Sequence, residues 1–228
     1  MGLSRPRYFP RQLITAEEMT LEADYFRGMF RRMRRMLWGP GVACGANVTL
    51  VPLDSKHAAT HDNSELWKVL VTSGYIFGPY GDEIIIGSDR IVDVRGTGVI
   101  GFSGDGPATS GDPWSAEPGP LPKSGDRFIA VKYAETMTRP VRAQPVGCGC
   151  DDSQCEYSRL CDGYELGVLA NGPPTKNEIS SSKDTKSAPC PDHPSDPWVY
   201  LAKVTVMEGG KIQIDSSFSR QLVASWLA

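Results

Sequence analysis

The sequence has few of the features that catalytic and nucleic-acid-binding proteins need. Its 228 residues include 3 histidines, and they contain no phosphate-binding loop, dinucleotide fingerprint or serine nucleophile elbow. The formal net charge is -3, whereas a dedicated nucleic-acid binder usually carries a basic excess. No apolar run approaches the roughly 20 residues that span a bilayer, and residues 1–10 lack the apolar core of a signal peptide. We therefore expect a non-enzymatic protein that is made in the cytoplasm.

Residues 15–37 carry the clearest helix pattern in the chain. Thr15 followed by Glu18 forms a capping box, and Ile14 with Met19 fits a hydrophobic staple. Local sequence therefore specifies where this helix begins. A glycine–proline–glycine run at residues 39–41 ends it, because proline and glycine both disfavour helical continuation.

An apolar seam runs along the predicted helix. Its members recur at alternating spacings of four and three residues, a period near 3.5 that keeps one stripe facing a partner helix. The protein's own sheet or a helix of another subunit can cover such a seam, and the sequence leaves both open. The predicted interface residues are Met19, Phe26, Phe30, Met33 and Leu37, with Ala23 completing the spacing.

Five arginines lie between Arg27 and Arg35 on the same helix. Such a run can contact phosphates or anionic lipids, but a solvated face or one that pairs across an interface is commoner. We therefore expect no nucleic-acid partner and no membrane insertion.

After residue 41 the pattern changes to short β-like runs separated by turn residues. Glu208-Gly209-Gly210 between the last two runs is typical of a hairpin turn. The predicted fold class is mainly β (α+β), with the amphipathic helix followed by an antiparallel β-sandwich or barrel-like domain with long loops. The predicted strands are residues 46–53, 66–72, 83–86, 90–94, 128–134, 164–169, 198–207 and 211–214.

The predicted organisation is an N-terminal helical segment, residues 1–41, and a β-rich domain, residues 42–228. Two stretches, residues 101–125 and 171–197, hold too much glycine, proline, serine and charge to bury a core, so we predict long surface loops there. A cysteine-rich insertion covers residues 145–197 or so. Residues 219–227 are predicted to add a short terminal helix.

The cysteine-rich segment is the part of the sequence most suited to metal binding or thiol chemistry. Four of the six cysteines lie between Cys148 and Cys161, and in a reducing compartment such clustering favours metal binding over disulfides. Thiolates from a tight glycine-containing turn can converge on one zinc ion, and a ligand from a distant loop completes the tetrahedron. Disulfides and free thiols stay open as alternatives. The predicted structural zinc ligands are Cys148, Cys150, Cys155 and Cys190, with Cys161 and His193 in reserve.

Five stretches carry a resemblance, namely residues 8–18, 38–45, 73–84, 131–141 and 155–165. They resemble a family of proteins found with phage-tail-like contractile injection systems. Residues 8–18 with the arginine-rich helix and residues 38–45 are similar to its opening. Residues 73–84 are similar to one of its strand–turn–strand elements. Residues 131–141 and 155–165 resemble its later signature, and the Cys-Glu-Tyr-Ser-Arg run at residues 155–159 is the most specific part.

The resemblance implies a structural or adaptor component of a tail, baseplate or fibre, acting through contacts with other subunits. It also implies assembly into a particle that can act outside the cell. The helix would then mediate docking or homo-oligomer formation. Two rival interpretations remain: a carbohydrate- or surface-binding module that uses Tyr75 and Tyr80, and a zinc-dependent hydrolase with an open metal position.

Overall fold

A computed structural model describes residues 4–51, 67–103, 124–142, 155–174, 194–207 and 211–223. In these ranges the protein is mainly β, with one N-terminal helix, antiparallel sheets and no closed barrel. The elements are α1 (Ala16–Leu37), β1 (Gly41–Gly45), β2 (Val48–Leu50), β3 (Lys68–Val71), β4 (Gly74–Phe77), β5 (Glu83–Ile86), β6 (Arg90–Asp93), β7 (Gly98–Ser103), β8 (Gly125–Arg142), β9 (Cys155–Leu169), β10 (Val199–Val206) and β11 (Ile212–Ile214).

One hydrophobic core is shared by three sheets. Their strand orders are β1-β4-β5, β2-β3-β6 and β11-β10-β8-β9-β7. Alternation of buried and partly exposed residues along β3 and β10 turns one face of each sheet inward. Buried members of the core include Ile76 from the first sheet, Val69 from the second, and Ile129, Leu166 and Val204 from the third. Burial of these branched side chains is the main stabilising contribution.

The β8–β9 hairpin extends beyond its sheet as a two-stranded ribbon. On β8, β10 pairs with residues 125–131, and on β9, β7 pairs with residues 163–168. The β8–β9 pairing continues outward as far as Arg142 opposite Cys155. The outer part of the ribbon exposes the large side chains of Met137, Tyr157 and Leu160. Two-stranded ribbons are marginally stable in water unless they pack on something else.

The sequence-based fold class is confirmed, and several element boundaries are wrong. The hairpin of β10 and β11 is present, although its turn residues lie outside the described ranges. β1 and β7 were not predicted, and β4 was implied by the resemblance of residues 73–84 alone; each of these strands begins with a glycine, which weakens the strand pattern. The predicted strands 128–134 and 164–169 are parts of the longer β8 and β9. Both predictions are too short because polar residues in the ribbon mask the alternation of apolar and polar positions.

Two further predictions fail where the structure describes the residues. The predicted loop 101–125 begins inside β7 and ends at the start of β8, and its middle lies outside the described ranges. The described part of the predicted terminal helix, residues 219–223, is not helical. Val42 of β1 accepts a bond from the Val223 amide and donates one to the Gln221 carbonyl, so the chain end is tied to a strand edge. These bonds pair the backbone groups of Val42 at the strand edge, which would lack these partners if residues 219–223 formed a helix.

The same truncation at two positions of β9 tests this assignment of the core. Leu166→Ala removes a fully buried side chain, and we expect it to lower the free energy of unfolding by about 2–5 kcal/mol. Leu160→Ala truncates an exposed leucine of the ribbon, so it should cost much less. Chemical denaturation of both variants measures the difference. Equal losses would contradict the burial pattern.

Candidate interaction surface

The capping box that the sequence predicts is present at the start of α1, and an N-terminal arm precedes it. The Thr15 hydroxyl accepts a hydrogen bond from the Glu18 amide, and the Glu18 carboxylate accepts one from the Thr15 amide. The preceding segment folds back along the helix, where Gln12 donates to Glu18 at 2.8 Å and Tyr8 donates to Glu22 at 2.9 Å. The capping box and this arm therefore fix the first turns of the helix.

Charged side chains join α1 to the β-domain. Arg27, Arg31 and Arg34 lie at spacings of four and three residues, so they share one side of the helix. Arg31 Nε lies 2.6 Å from Asp82 Oδ1, and Arg27 lies 3.2 Å from Glu135. Arg34 pairs with Glu83 and also donates to the Gly81 carbonyl at 3.3 Å. The arginine run thus pairs, in part, with the protein's own sheets.

The acceptors for these arginines come from the β4–β5 turn, from the first residue of β5 and from β8. The Asp82 side chain is buried, and this burial raises the pKa of its carboxyl group while the nearby Arg31 opposes the shift. The Tyr133 hydroxyl lies 2.8 Å from Glu135 and 2.5 Å from Asp162, beneath the Arg31 guanidinium at 5.5 Å from the ring centre. Burial and these two carboxylates raise the Tyr133 pKa. The cluster is therefore a network of ion pairs and hydrogen bonds that holds a helix.

A glycine allows the helix to approach this closely. Gly81 has φ = +87°, and a Cβ atom built on it would lie 2.0 Å from the Arg31 carbonyl oxygen. Any side chain at this position would therefore both strain the turn and displace α1. Beside this contact, Trp38 stacks on Phe77 with ring centres 5.9 Å apart.

The apolar seam of α1 is partly exposed, although Phe30 lies beside the arginines that meet the β-domain, with the Arg34 guanidinium 5.9 Å from its ring centre. None of the side chains of α1, all of which the structure describes, is buried. The five predicted interface residues are each between 40% and 64% exposed. Large apolar side chains exposed together on a single element are uncommon in monomers and mark protein contact sites. In the described residues the protein's own sheets leave these side chains partly exposed, and coverage of the seam by another subunit stays a prediction. The exposed seam residues are Met19, Phe26, Phe30, Met33 and Leu37, and Leu21, Met29 and Met36 of α1 are exposed to a similar degree.

The sequence analysis missed the partners of the arginines. Nothing in the local sequence of Asp82 and Glu83 indicates that they have a partner on the helix. A usable signal was present, however, because five arginines without a nearby carboxylate in the second half of the helix require counter-charges from elsewhere.

The predicted zinc site lies mostly outside the described residues. Cys148, Cys150, Cys190 and the reserve His193 fall there, as does the side chain of Cys155. Within the described ranges no group of His, Cys, Asp and Glu could hold a metal ion.

The other reserve ligand, Cys161, lies on β9 with its Sγ 3.3 Å from Thr138 Oγ1. It lies six positions along the strand from Cys155, a distance of about 20 Å. One zinc ion cannot bind thiolates that far apart, since Zn–S bonds are about 2.3 Å long.

The aromatic segment proposed for glycan binding is divided between two environments. Tyr75 packs edge-on against Phe77 at 5.2 Å between ring centres, so it belongs to the contacts beneath Trp38. Tyr80 is exposed and lines a cleft of about 390 Å³ together with Tyr133 and Pro197.

The comparisons of this chain with known proteins show, at most, a distant likeness of fold. No family model matches the chain, and no curated protein matches it. Two solved structures match 96% of the chain: a type VI secretion system baseplate complex at 11% identity and a TM-score of 0.39, and a type VI TssK–TssF–TssG baseplate subcomplex at 12% identity and 0.42. The chain spans 60% and 62% of those two chains. In the described residues, no helix is long and apolar enough to cross a membrane.

Replacing two neighbouring arginines tests how α1 is held. We expect Arg31→Met to lower the free energy of unfolding by about 1–3 kcal/mol, because the buried Asp82 loses its counter-ion. Arg32→Met makes the same change at an exposed arginine outside these pairs, so its cost should stay below about 0.5 kcal/mol. Thermal denaturation and amide exchange across α1 report both effects.

The Arg31→Met deficit should also shrink as the pH falls. Burial holds the folded-state pKa of Asp82 above its ordinary value, so the associated stability is present at low pH and is lost as the pH rises through that pKa. Protonation of Asp82 therefore removes the penalty for the missing arginine. Equal deficits in the two variants, or a deficit unaffected by acid, would mean that this pair does not hold the helix.

Proposed function

We propose that this chain is a structural or adaptor subunit of a phage-tail-like contractile injection particle, associated with its tail, baseplate or fibres. The exposed apolar seam of α1 is the observation that carries the proposal. Leaving such a seam in water forgoes about 25 cal/mol for each Å² of apolar surface that a partner would cover. The role is protein–protein contact and not catalysis.

The particle class follows from the sequence resemblance. Its most specific run, residues 155–159, forms the outer part of β9 in the ribbon. The ribbon exposes Tyr157 there, with Leu160 and Met137 further along. A second apolar surface on a protruding, marginally stable element suits a subunit that is held between neighbours.

Loss of particle association tests the seam. The double variant Phe26→Ser, Phe30→Ser removes two apolar side chains from the seam and should abolish co-sedimentation with sheath and tube proteins. Neither side chain is buried, so the β-domain should keep its melting temperature. A matched control, Ile85→Ser with Ile91→Ser, changes two exposed isoleucines of the β-domain and should stay on the particle. Full association of the seam variant would refute the docking role.

We also propose that a structural zinc ion, held by Cys148, Cys150, Cys155 and Cys190, pins the cysteine-rich segment. The register pair Arg142–Cys155 closes the stretch that contains Cys148 and Cys150, so little chain separates these cysteines from Cys155. Thiolate ligands fit zinc, and a structural ion of this kind contributes directly to folding.

Metal analysis of the purified protein tests the zinc site. Cys155→Ser should lower the zinc content and the melting temperature together, because a tetrahedral site loses one of its four ligands. Cys44→Ser changes an exposed thiol of β1 outside the proposed set, so both quantities should stay unchanged. Zinc content that survives the Cys155 change would indicate another ligand set.

A further inference from the structure

The spacing of the residues in the apolar seam of α1 is the same in both directions along the helix. Its successive spacings are four, three, four, three and four residues, so the pattern is symmetric about residue 28. Two such helices placed antiparallel bring every seam residue opposite another seam residue, with equal layers along the whole length. The layers then pair Met19 with Leu37, Ala23 with Met33, and Phe26 with Phe30, each across two chains.

The charges of α1 are segregated in a way that favours the same orientation. The first half of the helix contains Glu17, Glu18, Glu22 and Asp24 and no basic residue, whereas the second half contains all five arginines and no acidic residue. Antiparallel helices place the acidic half of one copy beside the basic half of the other. Parallel helices would place like charges together, which is unfavourable.

In the part of the chain that the structure describes, the contacts of α1 lie largely beside the seam, which stays partly exposed. The ion pairs to the β-domain come from the second half of the helix, through Arg27, Arg31 and Arg34 on the flank beside the seam. The N-terminal arm reaches the helix at Glu18 and Glu22, which are not seam positions. These contacts use positions other than the seam residues, except that the ring of Phe30 lies 5.9 Å from the Arg34 guanidinium.

We propose that α1 packs seam to seam, antiparallel, against α1 of a second copy of this chain, with a two-fold axis near residue 28. This inference rests on the proposed function, because it names the partner of the same seam. A two-fold interface uses one surface twice and must be complementary to itself. The symmetric spacing and the segregated charges of α1 meet that requirement, whereas a different partner would require neither.

The mass of the purified full-length protein tests the pairing. Light scattering during size exclusion should give twice the chain mass of 24.8 kDa. Phe26→Ser with Phe30→Ser should give a monomer with an unchanged β-domain, and Ile85→Ser with Ile91→Ser should stay dimeric. Wild-type protein that is monomeric at every concentration would overturn the inference.

Crosslinking tests the orientation. A benzoylphenylalanine replaces Met19, and isotopically labelled and unlabelled copies are mixed so that links between chains are identified by mass. We expect links near Leu37 of the other copy, and a probe in place of Leu37 should link near Met19. Links from position 19 to position 19 would indicate parallel helices and would also overturn the inference.

These results separate the two proposals. A monomeric wild-type protein whose seam variant still leaves the particle means that the seam binds another subunit, so the proposed function stands and the dimer fails. If the wild-type protein is a dimer and its monomeric variant remains on the particle, the dimer stands and the docking role of the seam fails.

Discussion

The ion pair between Arg31 and Asp82 is the contact on which the placement of α1 depends. It holds the helix by a charged flank, with Gly81 allowing the backbones to meet. A helix held in this way buries no side chain, so its apolar seam stays exposed. Most amphipathic helices turn their apolar stripe toward the core. Here the ion pairs reverse that arrangement, and the seam becomes available to a partner.

The β-domain supplies a rigid base for this helix. Branched side chains from three sheets fill one core, and the β4–β5 turn and the β8 strand present Asp82, Glu83 and Glu135 from that base. A carboxylate on a well-packed turn loses less side-chain entropy when it pairs than one on a free surface, so the network is favourable there. The ribbon extends from the same strands and carries exposed apolar side chains of its own. Two elements of the fold thus present surfaces that suit assembly.

Local sequence determined the helix, its seam and the fold class. The capping box needs residues three apart and the seam needs a period near 3.5, so both can be identified without tertiary information. The alternation that marks β3, β5, β6 and β10 is equally local. Strands that begin with glycine, such as β1 and β4, carry a weaker signal, and so do the polar strands of the ribbon. The described part of the predicted terminal helix, residues 219–223, is not helical because it bonds to a distant strand edge.

Only the tertiary structure decided which side of α1 meets the β-domain. Arg31, Asp82 and Glu135 are far apart in the chain, and their meeting depends on the packing of three sheets. Burial of Asp82 makes its pairing with Arg31 necessary, and burial is a property of the folded protein. The sequence by itself therefore determined that an apolar seam and a basic run exist on one helix. The fold determined that Arg27, Arg31 and Arg34 meet the β-domain while the seam stays partly exposed, because the buried Asp82 carboxylate requires a partner.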